Sequence, residues 1–241
     1  MVLLFARLAR RFISHTAAPI VVKPTGPYHT ATVVLLHGAG EEAEALWPLA
    51  SVLPDHVRCV IPRAPVRHHG LSVNKSDDRP CHAWADIYQA PRTRAMEQED
   101  VIGLEASRRR VEAVLDEEVA RVPSDRVLIA GFGQGGCLAV FAGLHYSRGL
   151  AGVIAHGAYL PQMEVWPDHI DAANEKTHML LLHGAKDDRV ILPYAQQSWV
   201  KLSKLAKGLQ MEMQVESAGE ACLSKSQIEQ IGVWIRERLP E

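Results

Sequence analysis

Apolar and polar positions follow two periods along most of the chain. ATVVLLHGAG (31–40), VRCVIPRAP (57–65), AGVIAHGAYLP (151–161) and HMLLLHGAKDDRV (178–190) each carry a short unbroken apolar run that stops at glycine, proline or a polar turn. Such runs predict strands buried on both faces, as in a parallel sheet. MEMQVESAG (211–219) alternates instead and predicts a last, half-exposed strand. Between these runs the spacing changes to the helical period. EEAEALWPLASVL (41–53), with Pro48 expected as a break, LPYAQQSWVKLSKLA (192–206) and SKSQIEQIGVWIRERL (224–239) predict helices. A longer helix is expected from about Met96 to Val122, with Val101, Leu104, Val111, Val114, Leu115 and Val119 on one side and the RRR run of 108–110 in solvent. The run 125–146 predicts strand, glycine turn and helix in succession. Strands alternating with crossover helices define an α/β fold, a mostly parallel twisted sheet with helices on both faces. A chain of 241 residues supports one such core.

Two stretches fall outside this rhythm. Residues 66–95 are polar and irregular, with Trp84 and Tyr88 as expected anchors. The first 29 residues form an expected basic, amphipathic N-terminal extension ahead of the domain, which is assigned to 30–241. Within residues 1–40, Arg7, Arg10, Arg11 and Lys23 meet no acidic residue, giving +4 against a whole-chain net charge of −2. Arginines on a leucine- and phenylalanine-bearing helical repeat, without acids, have the composition of a mitochondrial transit peptide. A mitochondrial address is therefore expected. By composition, the extension and the 66–95 segment are the expected contacts with partner proteins.

The near-neutral total charge gives no electrostatic reason for a nucleic-acid partner. No run approaches the ~20 apolar residues of a membrane span. Cys59, Cys81, Cys137 and Cys222 are scattered without metal-ligand spacing, so neither a metal nor another cofactor is expected.

The chemistry concentrates in IAGFGQGGC (129–137), which sits where a strand meets a helix. A nucleophile elbow at such a place is Gly-x-Ser-x-Gly, but here Gly133 holds the central position. LLHGAG (35–40), IPRAPVR (61–67), Trp84-Ala-Asp86, GFGQGG (131–136), LAGVIAHGAYLP (150–161), HGAKDDRV (183–190) and WIRERLP (234–240) follow one another in a fixed order. By this ordered set, residues 30–240 resemble the acyl-protein thioesterase and lysophospholipase-like carboxylesterases of the α/β-hydrolase superfamily. The resemblance implies a Ser, Asp, His triad in that chain order. It places the serine position on Gly133, the aspartate on Asp187 and the histidine position on Ala221. It also implies an oxyanion hole from the backbone amides of Ala39 and Gln134.

The residues themselves bear on this mapping. All twelve histidines lie between His15 and His183, so none follows Asp187. No serine or threonine lies between Asp125 and Tyr146. Cys137 reads as a core thiol, Cys222 adjoins the histidine position, and His156 and His183 end inferred strands. Three functions follow. The first is a hydrolase-fold protein that is not an enzyme, a pseudo-esterase serving as a structural or interaction subunit of a mitochondrial assembly. The second is a module that binds an acyl or lipid ligand without turnover. The third is an active carboxylesterase or thioesterase with a relocated nucleophile.

Overall fold

A computed structural model describes residues 18–67, 80–86, 99–166, 168–217, 219 and 221–241. The arginines of the extension, Tyr88 and the expected helix start at Met96 lie outside these residues. β1 (Ile20–Val22), β2 (Ala31–Leu36), β3 (Val57–Ile61), β6 (Val127–Phe132), β7 (Gly152–His156), β8 (His178–Gly184) and β9 (Gln210–Glu216) form one sheet in the order β1-β3-β2-β6-β7-β8-β9. All neighbours are parallel except β1, which runs antiparallel along β3 with Ile20 opposite Ile61. β4 (Val66–Arg67) and β5 (Cys81–His82) make a separate two-stranded ribbon.

Helices cover both faces. α2 (Val101–Val119), α3 (Gln134–His145) and α4 (Leu192–Leu205) pack on one side, where Val34, Leu36, Ile129, Leu115, Phe141 and Trp199 share a core. α1 (Trp47–Ala50) and α5 (Lys225–Arg238) cover the other, where Val33, Leu35, Leu128, Leu49, Ile231 and Trp234 meet. Successive residues of β2 therefore feed opposite cores, as the two-residue period of a strand requires. This double burial explains why the central strands have unbroken apolar runs.

The structure corrects four sequence expectations. Ile20–Val22 falls within the stretch assigned to the extension but completes the sheet edge. Pro48 does not break a helix; it occupies the first turn of α1, where its missing N–H costs nothing, and a 3-10 turn over Ala43–Leu46 precedes it. α2 begins at Val101 because the Asp100 side chain accepts the Gly103 amide at 2.9 Å and caps the helix. Val101 consequently lies at the exposed helix start rather than in the core. The 66–95 stretch, finally, is partly built, since Val66 pairs with His82; within it Trp84 is buried, as expected of an anchor.

Candidate active site

The carboxyl ends of β2, β6, β7 and β8 converge on the turn between β6 and α3. At its centre Gly133 has φ 53° and ψ −120°, a conformation that side-chain-bearing residues adopt only under strain. Its amide donates to the carbonyl oxygen of His156 at 2.8 Å, fixing the turn to β7. A Cβ on Gly135 would fall inside contact with the carbonyl oxygens of Leu36 and His37, so α3 lies directly against the end of β2. At Gly133 the opposite holds. A Cβ there would meet only the Cα of Gly38, at 3.9 Å, and would point into open space.

The loop after β2 forms one wall. His37 is fully buried and locked: Nδ1 donates to the Gly38 carbonyl at 2.8 Å, and Nε2 accepts the Ala64 amide at 3.1 Å. Burial, partly opposed by its bond to Gly38, lowers its pKa. Trp84 Nε1 donates to the His37 carbonyl at 2.8 Å, and Glu41 accepts the Gly38 amide at 2.9 Å. Gln134 joins this wall to the helix. Its side chain accepts the Trp84 amide and donates to the Ala85 carbonyl, each at 2.7 Å. Sequence reasoning assigned Gln134 a role only through its backbone; this clamp spans some fifty positions, and no local pattern marks it.

Among the described residues, the backbone amides of Ala39 and Gln134 meet no protein acceptor. Gln134 is the first residue of α3, so its N–H belongs to the helix end that carries partial positive charge. Donors of this kind stabilise a developing oxyanion or bind a carboxylate. Ala39 follows the pinned His37–Gly38 pair, while Gly38 approaches the open side of Gly133.

Asp187 stands on the far side, after β8. Its Oδ1 accepts the amides of Arg189 and Val190 at 2.8 and 2.9 Å, a turn-forming role. Its Oδ2 is buried and has no hydrogen-bond partner among the described residues. His183 Nε2 lies 3.7 Å from that oxygen but donates to the Val190 carbonyl at 2.8 Å. Ala221 is close by: a Cβ on Gly157 would sit 3.1 Å from Asp187 Oδ2 and 4.0 Å from the Ala221 carbonyl oxygen. His156 Nε2 faces Gln227 Oε1 at 3.2 Å, and burial pushes its pKa down to about 4. Cys137 is buried, with the Tyr159 amide donating to its Sγ at 3.5 Å, whereas Cys222 is exposed.

A profile of the phospholipase/carboxylesterase family matches residues 17–231. The chain belongs to this family. Acyl-protein thioesterase 1 of Schizosaccharomyces pombe is 31% identical over 171 residues, covering 70% of this chain and 73% of that protein. Acyl-protein thioesterase 1 of Neurospora crassa is 26% identical and covers 98% of this chain and 95% of its own. Among solved structures, acyl-protein thioesterase 2 of Zea mays superposes with a TM-score of 0.78 at 23% identity, covering 92% of this chain and 99% of that one. Arabidopsis thaliana SOBER1 gives 0.79 at 22% identity, with 87% and 99% covered. At these identities the two structures establish the shared fold.

The relatives overturn one expectation. Proteins matching most of the chain are named acyl-protein thioesterases, and the family is named for phospholipase and carboxylesterase, so this member's kinship is with enzymes. The expectation that it is not an enzyme is withdrawn. Gly133 lies at the turn between β6 and α3 with Gln134 opening the helix, Ala39 follows Gly38, which approaches Gly133, and Asp187 and Ala221 both lie near Gly157. Among the described residues no cluster suited to a metal ion is found, and no helix is long and apolar enough to cross a membrane.

Proposed function

We propose that this phospholipase/carboxylesterase family member hydrolyses acyl esters or thioesters at the elbow. Water is the nucleophile, and the backbone supplies the catalytic advantage. The carrying observation is the pair of amides, Ala39 and Gln134, that meet no acceptor among the described residues, beside the open face of Gly133. An acyl carbonyl placed over Gly133 would receive both N–H groups. Water attack would then build negative charge on an oxygen already held by donors and a helix end. In serine hydrolases stripped of triad side chains, such donors and substrate positioning alone leave ~10³–10⁴-fold catalysis over water. A rate of that order is the expectation here.

The test compares two substitutions at one residue. Gln134→Pro removes the amide N–H at a helix position that accepts proline, while Gln134→Ala keeps the amide and loses only the side-chain clamp. Hydrolysis of an acyl thioester by the proline variant is expected to fall ~10²-fold or more relative to the alanine variant. Equal rates in the two, or a wild-type rate no faster than buffer, would sink the reading.

The basic, acid-free start of the chain supports a mitochondrial address and a place in a larger protein assembly. Imaging of the full chain tagged at its C-terminus, and native electrophoresis of organelle extracts, test the two points. A diffuse cytosolic signal contradicts the address, and migration as a free 26.6 kDa chain contradicts the assembly.

A further inference from the structure

The two edges of the sheet are unlike. β1 has three residues and is followed at once by Lys23 and Pro24, which blunt it against further pairing. β9 runs for seven residues, all in register with β8 from His178 opposite Gln210 to Gly184 opposite Glu216, and contains neither proline nor lysine. It is last in the strand order, and among the described residues no strand pairs with its outer edge. Such an edge is a row of backbone donors and acceptors to which one more strand can be added.

The two faces of β9 differ as well. Met211 and Met213 lie opposite Met179 and Leu181 and pack on the core that holds Trp199, and Val215 continues this face at 42% exposure. On the other face Glu212 and Gln214 lie opposite Leu180 and Leu182, so a layer that is apolar at β8 turns polar at β9. A groove runs there between β9 and α5, floored by Leu180 and Trp234. Glu212 on the strand and Glu229 and Glu237 on the exposed side of α5 line it, and none of its lining residues is basic. It continues past Gln214 to a fourth carboxylate, Glu216. Gln214 donates to Glu212 at 2.6 Å, and Lys225 stands 3.9 Å from Glu229 in an exposed pair that offsets little of the charge. Arg238 lies over the Trp234 ring but does not line the groove.

These differences together describe an occupant. A strand added outside β9 alternates its side chains between the same two faces. On one face it meets Glu212, Glu229 and Glu237, and on the other Met213 and Val215. The β9 edge of a second copy would bring glutamates against glutamates. The arginines at the start of the same molecule are too close to β1. The sheet order puts β1 six strand spacings from β9, ~29 Å. Arg10 and Arg11 precede Ala18 by eight and seven residues and span at most ~29 Å when fully extended, which leaves nothing for the path around α5 and only Arg7 within reach. We infer that the outer edge of β9 and the groove beside α5 dock an extended segment of a partner protein in which basic and apolar residues alternate. The inference deepens the proposed place in a larger assembly by naming the kind of partner, and it rests on that reading.

Two labelled heptapeptides, one alternating lysine with valine and the other glutamate with valine, match β9 in length and test the groove on the full chain. Fluorescence anisotropy is expected to favour the lysine peptide by about tenfold or more, and by less at high salt. Hydrogen exchange of the β9 amides should slow when it binds. Glu212→Lys, Glu229→Lys and Glu237→Lys in one molecule, all at exposed positions, should reverse the preference. The same charge added away from the groove, by Glu117→Lys, Glu164→Lys and Glu175→Lys, should not reverse it. Equal affinity for the two peptides, reversal by the distant set as well, or binding without protection of β9 would overturn the inference. Binding of the lysine peptide only after Arg7→Glu, Arg10→Glu and Arg11→Glu would assign the groove to the start of a second copy, and would likewise overturn it. A chain that passes these tests yet migrates alone at 26.6 kDa in organelle extracts would instead sink the assembly and leave the groove standing.

Discussion

Replacing Gly133 by serine and Ala221 by histidine in one molecule would put a hydroxyl at the elbow and an imidazole beside Asp187. Space favours the first change, since a Cβ at 133 meets only Gly38 Cα at 3.9 Å. Backbone conformation opposes it, because a side chain at φ 53° costs ~1–3 kcal/mol. In a chain of 241 residues that corresponds to a melting temperature lower by about 2–12 °C. The second change lands near its partner: the Gly157 Cβ position lies 3.1 Å from Asp187 Oδ2 and 4.0 Å from the Ala221 carbonyl. Asp187 is already fixed by two backbone amides and needs no rearrangement to accept an imidazole N–H.

The size of the gain follows from cooperation between the groups. In a serine protease, removing either nucleophile or base costs about as much as removing the whole triad, ~10⁶ in turnover. Run in reverse, that non-additivity predicts that each single variant stays within about tenfold of wild type and that only the double variant climbs, by ~10² or more toward that ceiling. The assay is p-nitrophenyl ester and acyl thioester hydrolysis by wild type, both singles and the double, with fluorophosphonate labelling of position 133 read by mass spectrometry. A double variant that melts within the expected range yet neither hydrolyses faster than the singles nor labels would refute the claim of an open elbow with Asp187 in register.

Gly135→Ala would force α3 away from the carbonyls of Leu36 and His37, and overpacking of this kind costs ~1–3 kcal/mol or more; thermal denaturation should show a lower midpoint, and an unchanged one would contradict the close approach. Glu118 is 2% exposed and accepts from Arg58 at 3.0 Å and Thr32 at 3.1 Å, so Glu118→Ala strands the guanidinium and should cost ~3–5 kcal/mol in urea denaturation. Burial lowers the pKa of His156 to about 4, below the unfolded value near 6.5. The unfolded chain therefore binds the proton first, and stability should fall as pH drops from about 6.5 to 4, by at most ~3 kcal/mol for this residue. His156→Gln should flatten that slope, and an identical pH profile in the variant would contradict the assignment. Ser224→Ala removes the side-chain acceptor for the Gln227 amide at the start of α5 and should cost ~1 kcal/mol, read as a shift in urea midpoint at constant slope.

The central strands were legible because each is buried on both faces, which turns a three-dimensional condition into an unbroken apolar run. β1 was not, because Ile20–Val22 is three residues long, lies at an edge and is followed by Lys23 and Pro24. Pro48 was misread because the same missing N–H that stops a helix in its middle is harmless in its first turn, and only the position of the start decides which applies. The overrun of α2 to Met96 came from counting Val101 as core; the Asp100 cap, three residues ahead of Gly103, was the signal that would have placed the start.

The site divides along the same line. The elbow, the amides of Ala39 and Gln134 and the position of Asp187 follow from motif order, because each is set by where a strand ends, and strand ends are local. What the site lacks or retains is decided by partners far away in the chain. Gln134 is held by Trp84 and Ala85, and Asp187 Oδ2 has no hydrogen-bond partner among the described residues. Neither condition exists in any window of sequence. The first is a satisfied bond between two segments, and the second is an acceptor that its described neighbours leave without a donor. An acceptor without a partner among the described residues is therefore the kind of feature for which the structure adds most to the sequence.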